Sequence, residues 1–349
     1  MSDFLLAEGF GNLSDGTHTA GSEREILGNQ WTGYANAFVI ADRSDGRKWL
    51  SVSSSNEIAL QSKAFPDPTT VAVCFRVYRH SNEGCTGIIK LKNPSGNAFG
   101  FVGINTSGNV IYNRSSTGSW WADTVATSTE AVPLDTETFV EVRVTIGDGT
   151  DGAVSFYLNG VLSNTVSSID TADGTAAGLR SIEFGESSTA SETLRAGWTF
   201  GDIIVHVGSS PIGDVGVYFV PADADGADTD FTPSAGDNFE CVDEIGPDED
   251  TTYNESDGTA GHRDSFETAG VTGFTVLSVG VLARAKKTDT GAATLLLGAI
   301  HGASEDQSSA FTLSEDYLTF LELFDDCPSG GSWDSTKVTA AEVSYEVGA

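Results

Sequence analysis

The stretch TFVEVRVTIGDGTDGAVSFYLNGV, residues 138–161, decides the fold class. Val140, Val142, Val144 and Ile146 alternate with Glu141, Arg143 and Thr145, the period of two expected of a strand with one buried face. A Gly/Asp turn at 147–152 follows, and then Val154, Phe156 and Leu158 alternate with Ser155, Tyr157 and Asn159. Asn159 and Gly160 accept the positive φ angles of a tight hairpin turn. Two amphipathic strands cannot shield their apolar faces alone, so the hairpin predicts a larger sandwich around it.

Upstream, Val71, Val73, Phe75 and Val77 form a second strongly alternating strand, with Cys74, Arg76 and Tyr78 on its other face. Short strands over 31–40, 47–52, 57–60, 88–91, 98–104 and 110–112 recur at the spacing of an all-β sandwich. Strands at 180–185 and 197–205 close this first domain, residues 1–208. From Asp214 to Glu267, 16 acidic residues then stand against one basic residue, Arg263. Pro221, Pro233 and Pro247 punctuate this part, which reads as an acidic irregular connector over 209–270. Phe231, Phe239, Val242, Ile245 and Tyr253 are spaced through it, which favours a connector lying against a surface. Strand-like patterning resumes at Phe274–Arg284 and continues to 347, predicting a small C-terminal β domain over 271–349. Residues 339–345 read as either strand or short helix.

Lys+Arg 18 against Asp+Glu 50 gives a formal net charge of -32. Such a charge disfavours nucleic acid or an anionic membrane as partner, and it suits a high-salt setting or a merely acidic surface equally. The opening MSDFLLAEGF lacks a basic region followed by a long apolar run, so synthesis in a cytoplasm without a signal peptide is expected. Cys74, Cys85, Cys241 and Cys327 show no CxxC spacing, which predicts buried thiols, with a Cys74–Cys85 bridge as the alternative.

The motifs V-x-F-Y-L-N-G at 154–160, I-x-F-G at 182–185 and W-x-F-G-D-I-I-V at 198–205, in that order, resemble the laminin-G-like or concanavalin A-like jelly roll over about residues 1–208. The second half reads GDVGVYFVPADADG from Gly213, TPSAGDNFECVDE from Thr232, PDEDTTYN from Pro247 and PSGGSWD from Pro328. The whole resembles a group of tailed-bacteriophage structural proteins that place such a jelly roll before an acidic connector and a small β domain. The resemblance implies a non-enzymatic virion protein, a head decoration or fibre or a tail appendage, docked on other capsid or tail proteins as a homo-oligomer, with a trimer expected. The alternatives are a lectin-like module that binds host or surface glycans, and a polysaccharide depolymerase.

The chemistry-bearing residues point the same way. The E-x-D-x-x-E arrangement of the laminarinase-like branch of this fold is absent, and Glu141 has Arg143 two residues on, which reads as a cross-strand or surface charge pair. The five histidines are scattered, and His262-Arg263-Asp264 lacks any G-x-S-x-G nucleophile motif to serve. No catalytic residue is therefore expected. Asp223, Asp225, Asp228 and Asp230 around Gly226 form the best metal pattern, a structural Ca²⁺ site or a solvated acidic turn. The twelfth position of an EF-hand counted from Asp223 is Ser234, so that motif fails. Neighbouring residues of an extended segment face opposite ways, so Trp120 and Trp121 should not both enter one core. One ring is then free to stack on a sugar or to meet another subunit, unless the loop covers both.

Overall fold

The computed structural model describes residues 3–13, 16–18, 29–33, 38–43, 47–51, 60–80, 85–115, 123–172, 177–185 and 198–348. Two antiparallel sheets face each other across the first half. The nine-stranded sheet runs Val161–Ile169, Gly152–Leu158, Glu137–Thr145, Thr70–Arg79, Trp198–His206, Lys48–Ser51, Phe38–Asp42, Gly16–His18, and Phe4–Glu8 also pairs with Trp198–His206. The seven-stranded sheet runs Asp123–Ala131, Asn109–Arg114, Ala98–Ile104, Cys85–Lys92, Ser181–Phe184, Leu60–Ser62, Trp31–Gly33. The fold is all-β, a sandwich of the jelly-roll kind.

The 138–161 hairpin sits as its alternation demands. Val142 pairs with Phe156 and Val144 with Val154, and all four side chains are fully buried between the sheets with Phe75, Val77, Trp198 and Phe200. Asn159 and Gly160 turn the chain at φ 48° and 76°, as the sequence implied. Glu141 and Arg143 differ from expectation. They form an ion pair of 3.2 Å on one strand, yet the pair is buried rather than on the surface. The cause is a strap, residues 207–217, laid over the outer side of the nine-stranded sheet. Ile212, Val215 and Val217 pack there on Ala72, Cys74, Phe139 and Ile204. Arg143 fastens it by donating to the Gly208 and Ser210 carbonyls, and Glu141 accepts from the Ile212 N–H at 3.1 Å.

The reading of 209–270 as an irregular connector is corrected in the same way. Ala222–Thr229 and Arg263–Thr268 are strands of a six-stranded sheet completed by Ala341–Val347, Thr294–His301, Ser304–Gln307 and Phe311–Thr312. The sequence ADADGADT hides this strand because it offers no apolar alternation; side chains of its neighbours hold it instead. Glu342 accepts from the Ala227 N–H, and the Ser265 hydroxyl oxygen accepts from the Asp228 N–H. Gly226 makes room for them, since a Cβ there would meet the Glu342 carboxylate and the Ser265 hydroxyl. A two-stranded ribbon, Val279–Ala285 with Leu318–Phe324, brings Val281, Phe320 and Phe324 onto Leu297 and Trp333 in a second core. The segment left open between strand and helix splits: Ser335–Thr339 is a short helix capped by Asp334, and Ala341–Val347 is strand. Cys74, Cys241 and Cys327 are free buried thiols, and the side chain of Cys85 lies outside the described residues. Among the described residues no helix is long and apolar enough to cross a membrane.

One buried acid ties the first strand to pH. Glu8, on Phe4–Glu8, is pushed up to about 7 by burial, while hydrogen bonds from the Phe10 N–H and the Trp31 indole offset only part of that. Its ordinary value is 4.5, so between these pH values the folded chain keeps a proton that the unfolded chain has lost. Stability therefore falls as pH rises through this window and levels off above it, by about 3 kcal/mol in all. Glu8→Gln should remove this slope. Urea unfolding of both proteins at pH 5 and pH 8 checks it: the variant gains on the wild type at the higher pH, and a constant difference contradicts the assignment.

Candidate functional site

The strap covers one half of the outer side of the nine-stranded sheet and, among the described residues, leaves the other half open. The open half is built from strands whose outward positions are polar or aromatic. Tyr78 comes from Thr70–Arg79, Glu137 from Glu137–Thr145, Thr199 from Trp198–His206, and Trp49 and Ser51 from Lys48–Ser51, while Arg76, Phe139 and Gly201 are buried beside them. The register aligns them: Glu137 lies opposite Tyr78, Tyr78 opposite Thr199, and Thr199 opposite Ser51.

Beneath this surface three guanidinium groups converge on two carboxylates. Asp202 is fully buried, in a bulge between Gly201 and Ile204, with φ 49°. One of its oxygens meets Arg47 at 2.5 Å, Arg76 at 2.8 Å and Arg43 at 3.4 Å. The other accepts from the Val217 N–H, which ties the end of the strap to the same carboxylate. Glu137, whose side chain is one-third exposed, takes Arg43 at 2.5 Å, Arg76 at 3.0 Å and Arg47 at 3.6 Å. Arg76 also reaches Asp214 at 2.6 Å. Burial works against the charge on Arg76, and Asp202 and Asp214 more than compensate, holding the guanidinium above its ordinary value. Three cations and three anions make this patch locally neutral in a chain of net charge -32. The arginines stay below the surface and fix Glu137 at it.

Aromatic rings surround the charges. Arg43 lies 4.3 Å over Trp49, and Arg47 lies 4.9 Å over Tyr218. Tyr78 stands between Trp49, at 6.4 Å edge-on, and His80, at 4.4 Å between ring centroids. His80 is 3.8 Å from Asp135, and both are exposed. Trp49, Ser51, Tyr78 and Thr199 are half-buried, so the face presents flat rings and hydroxyls to solvent. Rings with one wet side and one packed side are suited to sugar faces. Glu137, Tyr78, His80 and Asp135 give it groups able to accept or donate protons.

The residues that the sequence singled out lie elsewhere. Trp120 and Trp121 fall outside the described residues. The four aspartates do not converge: Asp228 pairs with Arg263 at 2.6 Å, Asp225 accepts from the Phe239 N–H, Asp230 accepts from the Arg263 N–H, and Asp223 is exposed. A Ca²⁺ cage needs their oxygens to point at one centre, and protein donors draw them apart instead. His262, Arg263 and Asp264 also diverge, toward Asp257, toward Asp228 and Glu305, and toward Asn238 and Tyr345. The sequence did place Cys74, Arg76 and Tyr78 on one side of their strand. It gave no sign that Arg43, Arg47 and Asp202, far apart in the chain, would meet Arg76 there. The usable signal was a lone aspartate in the otherwise apolar final strand, FGDIIV, since a charge in such a place needs a partner.

No protein-family model matches the chain, and no curated protein matches it. Among solved structures, the alginate lyase Aly36B aligns at 14% identity over 60% of this chain and 97% of its own, with a TM-score of 0.40. The endo-β-1,4-glucuronan lyase of the fungus Trichoderma reesei aligns at 7% identity over 61% and 99%, with a TM-score of 0.39. Domain 4 of an extracellular arabinanase from Geobacillus stearothermophilus, in complex with arabinotriose, aligns at 17% over 59% and 93%, with a TM-score of 0.37. The likeness is one of sandwich architecture. The expectation of a non-enzymatic virion structural protein is corrected here. Polysaccharide lyases stand among the aligned structures, beside sandwiches such as the arabinanase domain, and the expectation that the chain is no enzyme is corrected with it.

Proposed function

We propose that the chain is a polysaccharide-acting enzyme whose substrate lies across the open half of the nine-stranded sheet. The supporting observation is the row of Trp49, Tyr78 and His80 beside a Glu137 carboxylate held in place by three arginines. Trp49 and Tyr78 offer their rings to pyranose faces, and Ser51 and Thr199 offer hydroxyls to sugar oxygens. His80 and Glu137 supply the acid–base pair that cleavage of a glycosidic bond requires. The locally neutral patch admits an acidic polysaccharide where the rest of the surface repels one. Long-range repulsion by the net charge of -32 is screened as salt rises, so activity on an acidic chain should increase with ionic strength.

The test is incubation of the purified chain with alginate, glucuronan and a neutral β-glucan, at low and high salt. Ultraviolet absorbance of unsaturated uronate and new reducing ends are followed together. Shortened chains with an unsaturated end identify elimination, and new reducing ends without absorbance identify hydrolysis. Unchanged chain length for every polysaccharide at both salt levels overturns the reading.

A further inference from the structure

The covered half of the same sheet holds a second cluster that the proposed glycan site does not use. Cys74, Glu141 and His206 project from three adjacent central strands, Thr70–Arg79, Glu137–Thr145 and Trp198–His206, toward the underside of the strap. Glu141 lies directly opposite Cys74 in the register. All three side chains are buried, His206 at 1% exposure, and their ligand atoms lie within 4.8 Å of one another. The His206 Nε2 has no hydrogen-bond partner, although it is aimed at the Glu141 carboxylate 3.4 Å away. An orphaned imidazole nitrogen in a dry site is costly unless something else satisfies it.

We infer that Cys74, Glu141 and His206 form a binding site for one Zn²⁺ ion. A thiolate, an imidazole and a carboxylate are the ligand types that zinc takes. Two ligand atoms about 2.05 Å from a tetrahedral centre stand about 3.3 Å apart, which matches the His206–Glu141 separation. The Cys74 sulfur then needs to close in by no more than about 1.3 Å. On binding, the Cys74 thiol gives its proton to solvent, so Zn²⁺, thiolate and carboxylate together carry no net charge. Arg143, which contacts Glu141 at 3.2 Å, would keep the Gly208 and Ser210 carbonyls as acceptors on metal binding. The ion would pin the three strands to one another beneath Ile212, whose N–H already bonds Glu141. Its role is structural, and it lies on the covered half of the face rather than the open half.

The full chain, stripped with a chelator and dialysed against zinc chloride, should take up one equivalent and melt at a higher temperature. Cys74→Ala and His206→Ala should take up none. Cobalt(II) loading of the wild type should produce a thiolate-to-cobalt charge-transfer band, a readout that stands even if a variant fails to fold. No zinc uptake by the wild type, full uptake by both variants, or a cobalt adduct without the thiolate band overturns the proposal.

Discussion

Asp202→Asn should cost the sandwich about 3–5 kcal/mol of unfolding free energy at neutral pH. The substitution keeps the shape of the side chain, and asparagine tolerates the positive φ of 49° at this position, so backbone strain is not the cause. What is lost is the one fully buried negative charge on which Arg43, Arg47 and Arg76 converge. Glu137 remains, but its side chain is one-third exposed and already shared by the same three guanidiniums. Removing one partner of a buried ion cluster leaves the others desolvated without compensation, which costs far more than a surface pair is worth. Five of the six tryptophans precede residue 208, so intrinsic fluorescence in a denaturant titration reports mainly on the sandwich. A loss under about 1 kcal/mol would mean that the cluster contributes little to holding the sheet.

Phe156→Ala should cost a similar 3–5 kcal/mol, by another route. Phe156 is fully buried opposite Val142, and truncation opens a cavity between the two sheets. Val161→Thr provides the comparison: Val161 is 69% exposed on the edge strand Val161–Ile169, and its replacement should change little. If the two substitutions proved equally mild in the same titration, the hairpin would not be the structural centre of the sandwich.

The sandwich could be read from the sequence because its strands alternate strictly, as Val140–Ile146 and Val71–Val77 do, and because Asn159-Gly160 marks a turn. Side-chain period carries information on which face is buried, and it says nothing about what covers the opposite face. That is why Glu141 and Arg143, which alternate with the valines, read as a cross-strand or surface pair and yet lie under the strap. Ala222–Thr229 was missed for the converse reason. Its ladder is held by Ser265 and Glu342 of neighbouring strands, and none of that appears in ADADGADT. The candidate site is the most non-local feature. Arg43, Arg47, Arg76, Glu137 and Asp202 span 160 residues, from 43 to 202, and only the order of strands in the sheet brings them together. Local chemistry drew attention to Trp120-Trp121 and to the aspartates around Gly226, because adjacent residues are what a linear reading sees.

The most direct test of the open face as a glycan site is a calorimetric titration of wild type and Trp49→Ala with an oligosaccharide of the polysaccharide that the activity panel selects. A stacked ring contributes about 0.5–1.5 kcal/mol, so the account predicts binding up to about tenfold weaker in the variant with the fold intact. Equal affinity of the two proteins would contradict it.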